Sequence, residues 1–84
     1  LKMKKIYINE LLLERFNIKY PNKETLTKKE LSTELGVSVS SINHYLQLGE
    51  GLPPYIRFGS KDKGRILFPI VNVVDYLTNT ELVA

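Results

Sequence analysis

The stretch Thr27–Leu48 constrains this chain most, because it packs two helix starts and the stop between them into one short run. Thr27-Lys28-Lys29-Glu30 is a capping box: the Thr27 hydroxyl accepts from the Glu30 backbone N–H, and the Glu30 carboxylate reaches back to the N–H of Thr27. Leu31 and Leu35, four residues apart, give the first helix one apolar face, and Gly36 stops it where a left-handed backbone is usual. Val37 is expected to be buried in the turn. Ser38 caps a second helix from Val39 to about Leu48, with Ile42, Tyr45 and Leu46 facing inward and Gly49 closing it. Two short helices joined by so tight a turn must cross steeply, which is helix-turn-helix geometry and not a parallel hairpin.

The rest of an 84-residue chain has to supply the core on which this pair rests. A domain this small buries only roughly 60–65% of its unfolded surface, which leaves little room for an enclosed active site. Leu1 and Lys2 precede Met3, the expected native start, and are left aside. Lys4–Ile8 reads as a short strand-like stretch through the alternation of Ile6 and Ile8. Asn9 caps an expected helix from Glu10 to about Phe16, in which Ile8, Leu11, Leu12 and Phe16 form the apolar face and Leu13 points elsewhere. Tyr20-Pro21-Asn22-Lys23 is a turn.

After Gly49, the run Glu50-Gly51-Leu52-Pro53-Pro54 is an extended connector that cannot be a central strand. Tyr55–Phe58 and Arg65–Phe68 read as the two strands of a hairpin with a polar, glycine-flanked tip. If Phe58 faces Ile66, then Ile56, Phe58, Ile66 and Phe68 share one face and Tyr55, Arg57 and Leu67 the other. Pro69 suits the first turn of a last helix whose Ile70, Val73, Val74 and Leu77 fall at i, i+3, i+4 and i+7. Residues 78–84 read as a tail.

Composition narrows the function classes. There is no cysteine, which removes disulfides, thiolate metal sites and cysteine nucleophiles. No apolar run is long enough to span a membrane and no secretory leader is visible, so a cytoplasmic location is expected. The net charge is +3, and the segment Arg57–Arg65 accounts for all of it, with Arg57, Lys61, Lys63 and Arg65 against Asp62. Carboxylates are scattered, the single His44 has neither a nucleophile nor an orienting acid beside it, and no glycine-rich phosphate loop occurs. The chain is therefore expected not to be an enzyme, with no cofactor, no metal and no small-molecule substrate.

From Leu26 to Leu77 the chain resembles the excisionase-like and AlpA-like small DNA-binding proteins, which share the winged helix-turn-helix of MerR-type DNA-binding domains. The residues that carry the resemblance are Leu26-Thr27-Lys28-Lys29-Glu30-Leu31, Leu35-Gly36-Val37-Ser38, Gly49-Glu50-Gly51-Leu52-Pro53, Arg57-Phe58-Gly59, Arg65-Ile66-Leu67-Phe68 and Val73-Val74-Asp75-Tyr76-Leu77. Three features depart from the family pattern: Val39 stands where a basic residue is common, Ile70-Val71 where a polar cap is usual, and the wing tip is longer than in the shortest family members. The expected fold is α+β, mainly α: a winged helix-turn-helix over residues 26–77 with a two-stranded antiparallel wing and a C-terminal helix. An N-terminal extension with an extra helix (1–25) and a tail (78–84) flank it.

Each candidate residue has a functional and a plain reading. Val39, Ser40, Ser41, Asn43, His44 and Gln47 would form the exposed face of the second helix. Asn43 and Gln47 can pair with adenine in a major groove, and Ser38, Ser40 and Ser41 suit phosphate or base contacts near a helix N-terminus. The plain alternative is ordinary exposed polarity, and for His44 the two readings weigh equally. Arg57, Lys61, Lys63 and Arg65 would contact backbone phosphates, with Lys61 or Lys63 reaching a minor groove; the alternative is a solvated loop that discourages edge pairing. Lys28 and Lys29, beside Thr27, oppose the helix dipole in a first turn, so helix stability does not explain them; phosphate contact does, with simple solubility as the plain alternative. Tyr45 and Tyr76 are expected in the core, and Tyr55 beside Arg57 is a candidate DNA contact.

The resemblance implies sequence-specific binding of double-stranded DNA in a mobile element, either as an excisionase (recombination directionality factor) or as a small transcriptional regulator. Expected partners are DNA, a recombinase (integrase) and further copies of the chain on repeated sites. The rival expectation is a winged-helix module that binds another protein and no DNA.

Overall fold

The computed structural model describes residues 2–59 and 64–79, with side chains from Ile8 onward. Among the described residues, four helices and a three-stranded antiparallel sheet make a mainly helical α+β arrangement. In chain order these are α1 (Lys2–Lys19), β1 (Thr25–Leu26), α2 (Lys28–Leu35), α3 (Val39–Leu48), β2 (Ile56–Phe58), β3 (Arg65–Pro69) and α4 (Ile70–Thr78).

The α2–α3 pair forms as its capping chemistry dictates. The Glu30 N–H donates to Thr27 Oγ1 at 3.2 Å and the Thr27 N–H to Glu30 Oε1 at 2.9 Å, so the capping box is closed in both directions. Gly36 ends α2 at φ 71°. Ser38 caps α3 by accepting from the Ser41 N–H at 3.1 Å, and Gly49 ends it. Leu31 and Ile42 are fully buried from the two helices. Val37, expected inside the turn, is 43% exposed instead, because the core beneath the turn is already closed by those two residues.

One core holds Phe16 of α1, Leu26, Leu31, Ile42, Ile66, Phe68, and Ile70, Val73 and Val74 of α4. The i, i+3, i+4 pattern read for α4 is the face it buries. Its first turn lacks a side-chain cap, and the Ile70 N–H donates instead to the Glu24 carbonyl at 2.8 Å. That bond prolongs the β1–β3 ladder and satisfies one of the N–H donors that the first turn of a helix leaves without an intrahelical partner.

The N-terminal segment departs from expectation. Lys4–Ile8 is not strand-like: α1 is one helix from Lys2 through Lys19. Its core-facing positions are Leu12, Leu13 and Phe16, followed by Tyr20, while Ile8 and Leu11 are 43% and 48% exposed. Leu13, expected to point away, packs on the core, because docking against α4 rotates the face by about one residue. The next turn is as read, with Asn22 at φ 64° and the Lys23 N–H donating to the Tyr20 carbonyl. At its far end α1 is fastened to α2. The Glu34 carboxylate, with a side chain only 3% exposed, accepts from Lys19 Nζ at 2.6 Å and from the Tyr20 hydroxyl at 2.7 Å.

The sheet has order β1-β3-β2, so β3 is a centre strand and the hairpin is not an isolated two-stranded ribbon. Its register is Ile56↔Leu67, Arg57↔Ile66 and Phe58↔Arg65. This is one residue away from the expected pairing of Phe58 with Ile66, and a slip of one moves every β2 side chain to the other face. Ile66 and Phe68 do face the core, but Ile56 and Phe58 are exposed. Tyr55, next to β2, packs its ring on Phe68 at 5.7 Å between centroids, and so belongs to the core side.

Candidate nucleic-acid interface

The site predicted from sequence is spread over three segments, and the fold brings parts of all three around one open groove of about 500 Å³. One wall is Thr27, Lys28 and Lys29 at the start of α2; the other is Gly64, Arg65 and Ile66 at the start of β3; Val39, in the first turn of α3, lies between them. The groove exists because the capping box fixes where α2 begins, and the three-residue turn Gly36–Ser38 brings the first turn of α3 back beside it. Its walls carry Lys28, Lys29 and Arg65, with no acidic side chain among the lining residues.

Along α3, Ser40, Asn43, His44 and Gln47 are exposed. Ser38 and Ser41 are already engaged with each other, their hydroxyl oxygens 3.1 Å apart. Thr27 is likewise committed to its cap. These three residues hold the helix starts in place and offer less to a ligand than expected. Asn43 has a partner that the sequence did not suggest: Lys28 Nζ donates to its Oδ1 at 2.9 Å, tying α2 to the middle of α3. His44 lies edge-on to the Tyr45 ring.

The hairpin divides its charges. Arg57 is paired with Ile66 and so shares its face, whereas Arg65 shares the opposite face with Phe58. Arg57, placed with Tyr55 and Leu67 by the expected register, lies on the face of Ile66 instead. Lys61 and Lys63 lie outside the described residues.

Two tyrosines expected in the core are surface braces. Tyr45 and Tyr76 are 43% and 37% exposed. The Tyr76 hydroxyl donates to the Gly51 carbonyl at 3.0 Å. The Tyr45 ring lies so close to Gly51 that a Cβ there would meet its Cδ1 at 3.0 Å. Asn72 of α4 adds a third hold, donating to the Pro54 carbonyl at 3.2 Å. The connector between α3 and the hairpin is thus clamped from both sides. A glycine between an α-helix and a Pro-Pro pair was the only sequence sign of it.

No family model, curated protein or solved structure matches the chain. Function therefore has to be argued from the residues. Among those described, no cluster of three His, Asp or Glu side chains is arranged to hold a metal ion, and no helix is long and apolar enough to cross a membrane.

Proposed function

We propose that this chain is a winged helix-turn-helix protein that binds double-stranded DNA, with α3 in a major groove and the β2–β3 hairpin on the flanking backbone. The observation that carries the reading is the groove between α2, α3 and β3. It is open, its walls present Lys28, Lys29 and Arg65, Val39 of α3 lies between them, and Lys28 reaches Asn43 on the exposed polar face of α3. A phosphate strand seated there would meet the N-terminal end of α2 and three cations, while Asn43, His44 and Gln47 would be turned toward base edges. The resemblance described above adds the biological setting: an excisionase or a small regulator of a mobile element, without enzymatic activity, acting with a recombinase or with further copies of itself.

A salt titration of binding to duplex DNA tests this. Phosphate contacts release counterions, so affinity should fall steeply with salt, with a logarithmic slope of about −0.9 per contact. Binding no tighter than millimolar to every duplex at low salt would end the DNA reading. Footprinting on the DNA that flanks its gene would then separate an attachment site from a promoter.

One observation favours a second reading, a module that docks on another protein. The outward side of the hairpin exposes Ile56 and Phe58, 48% and 66% accessible. Ile56 also lines a second open groove of about 460 Å³ with Leu13, Ile70 and Val71. DNA contact explains neither feature.

A further inference from the structure

Lys28 and Asn43 come from different helices and meet through one hydrogen bond, 2.9 Å from Nζ to Oδ1. A carboxamide has one acceptor end and one donor end that are similar in shape, and in most settings either can face a ligand. Here the choice is forced. A lysine ammonium has three donors and no acceptor, so the atom it meets must be the amide oxygen. The Asn43 NH2 is then the end of the amide that Lys28 does not engage, and Lys28 has further N–H groups of its own beside it. Lys28 sits in the first turn of α2, where its charge opposes the helix dipole, so helix stability does not account for it.

We infer that Lys28 and Asn43 act together as a donor-only reader that selects guanine over adenine at one base pair of the target. The inference rests on the DNA-binding reading given above. A free asparagine pairs bidentately with adenine, accepting from N6 and donating to N7. An asparagine whose oxygen is held by Lys28 keeps one lone pair, but an adenine N6 amino group reaching it would meet the Lys28 ammonium, donor against donor. Guanine offers two acceptors, O6 and N7, on its major-groove edge, and suits a pair that only donates. Lys28 acts in two ways: it holds the Asn43 oxygen and it adds its own N–H donors beside the Asn43 NH2.

The test is selection from a randomised duplex library with the full chain, comparing wild type, Lys28→Met, Lys28→Arg and Asn43→Ala, each checked for folding by circular dichroism. Wild type should require guanine at one position, preferring it over adenine by about tenfold. Lys28→Met frees the amide oxygen, and the same position should turn to adenine. Lys28→Arg, still a donor to Oδ1, should keep guanine. Asn43→Ala should lower the discrimination at that position alone. If Lys28→Met weakens binding while leaving base preference unchanged, Lys28 is a phosphate contact only and the inference is overturned. The same holds if wild type prefers adenine there. Failure of wild type to enrich any sequence, with no salt-dependent binding to bulk duplex, overturns the DNA reading itself and this inference with it.

Discussion

Single side chains divide into those committed to the fold and those that still present groups to a ligand. Asn43, through the end of its amide that Lys28 does not hold, and Arg65 belong to the second group, with different expected signatures. Asn43→Ala should cost about 1–3 kcal/mol on the cognate site and little elsewhere. Arg65→Ala should weaken every sequence and lower the salt slope by about 1. Binding isotherms on cognate and scrambled duplexes distinguish them, and equal losses on both from each variant would refute the division. Leu11 and Leu13 supply a matching comparison for stability. Leu13 packs on the core and Leu11 is half exposed, so Leu13→Ala should be the more destabilising in a denaturant melt, by at least about 1 kcal/mol. Three successive leucines make this face hard to read from sequence. Helical spacing admits either Leu11 or Leu13 beside Leu12 and Phe16, and only the packing against α4 decides.

At the level of elements, what was legible in the sequence is what local chemistry determines. The limits and caps of the α2–Gly36–Ser38–α3 unit are fixed by side chains within a few residues of the backbone groups they satisfy and form as read, whereas Val37 and Tyr45, expected inside, are exposed. Thr27→Ala should cost about 1 kcal/mol through loss of the cap. Gly36→Ala meets no neighbour within 4 Å, so its cost should be the left-handed backbone alone, again about 1–2 kcal/mol. A thermal melt showing Gly36→Ala unchanged would mean that α2 can end without that conformation. The hairpin register and β1 were not legible. β1 has two residues, and its partner strand lies far along the chain. On β2 the apolar alternation of Ile56 and Phe58 suggested a buried face, yet all three residues of that strand are exposed, so the pattern carried no information about burial. The strand-like reading of Lys4–Ile8 failed in the same way: two isoleucines in alternation are outweighed by a helix that docks along another helix.

For the molecule as a whole, the ionic contacts set a pH window. Burial by itself would raise the Glu34 carboxyl. The hydrogen bonds from Lys19 and Tyr20, with the charges of Lys19 and Arg15, together outweigh it and hold the group below its ordinary 4.5. Glu30, also partly desolvated, is held below the same value by Lys23 and by its capping-box bonds to Thr27. A lowered carboxyl contributes stability that is present above the unfolded value and lost as pH falls through the folded one. The melting temperature should therefore drop as the solution is acidified below about pH 4.5. Glu34→Gln should flatten part of that drop. Tyr20 behaves in the opposite sense. Desolvation, aided by its hydrogen bond to Glu34 and that group's charge, pushes its hydroxyl up to about 12 from 10. Its contribution is complete below pH 10 and disappears as pH rises through 12. A pH titration of the melt that showed no acid limb would remove Glu34 and Glu30 from this account.

The packing of α1 on α4 has a consequence for how the chain is made. Synthesis runs from the N-terminus, so α1 leaves the ribosome long before its partner exists, with Leu12, Leu13 and Phe16 uncovered. The α2–α3 pair can begin to form on its own local signals, but the core cannot close until α4 has emerged and a loop of most of the domain is drawn shut. The nascent chain therefore spends most of its synthesis with an apolar helix face open to chaperones and proteases. A ribosome-stalled chain ending before Pro69 should be cut readily within α1, and one extended past α4 should resist.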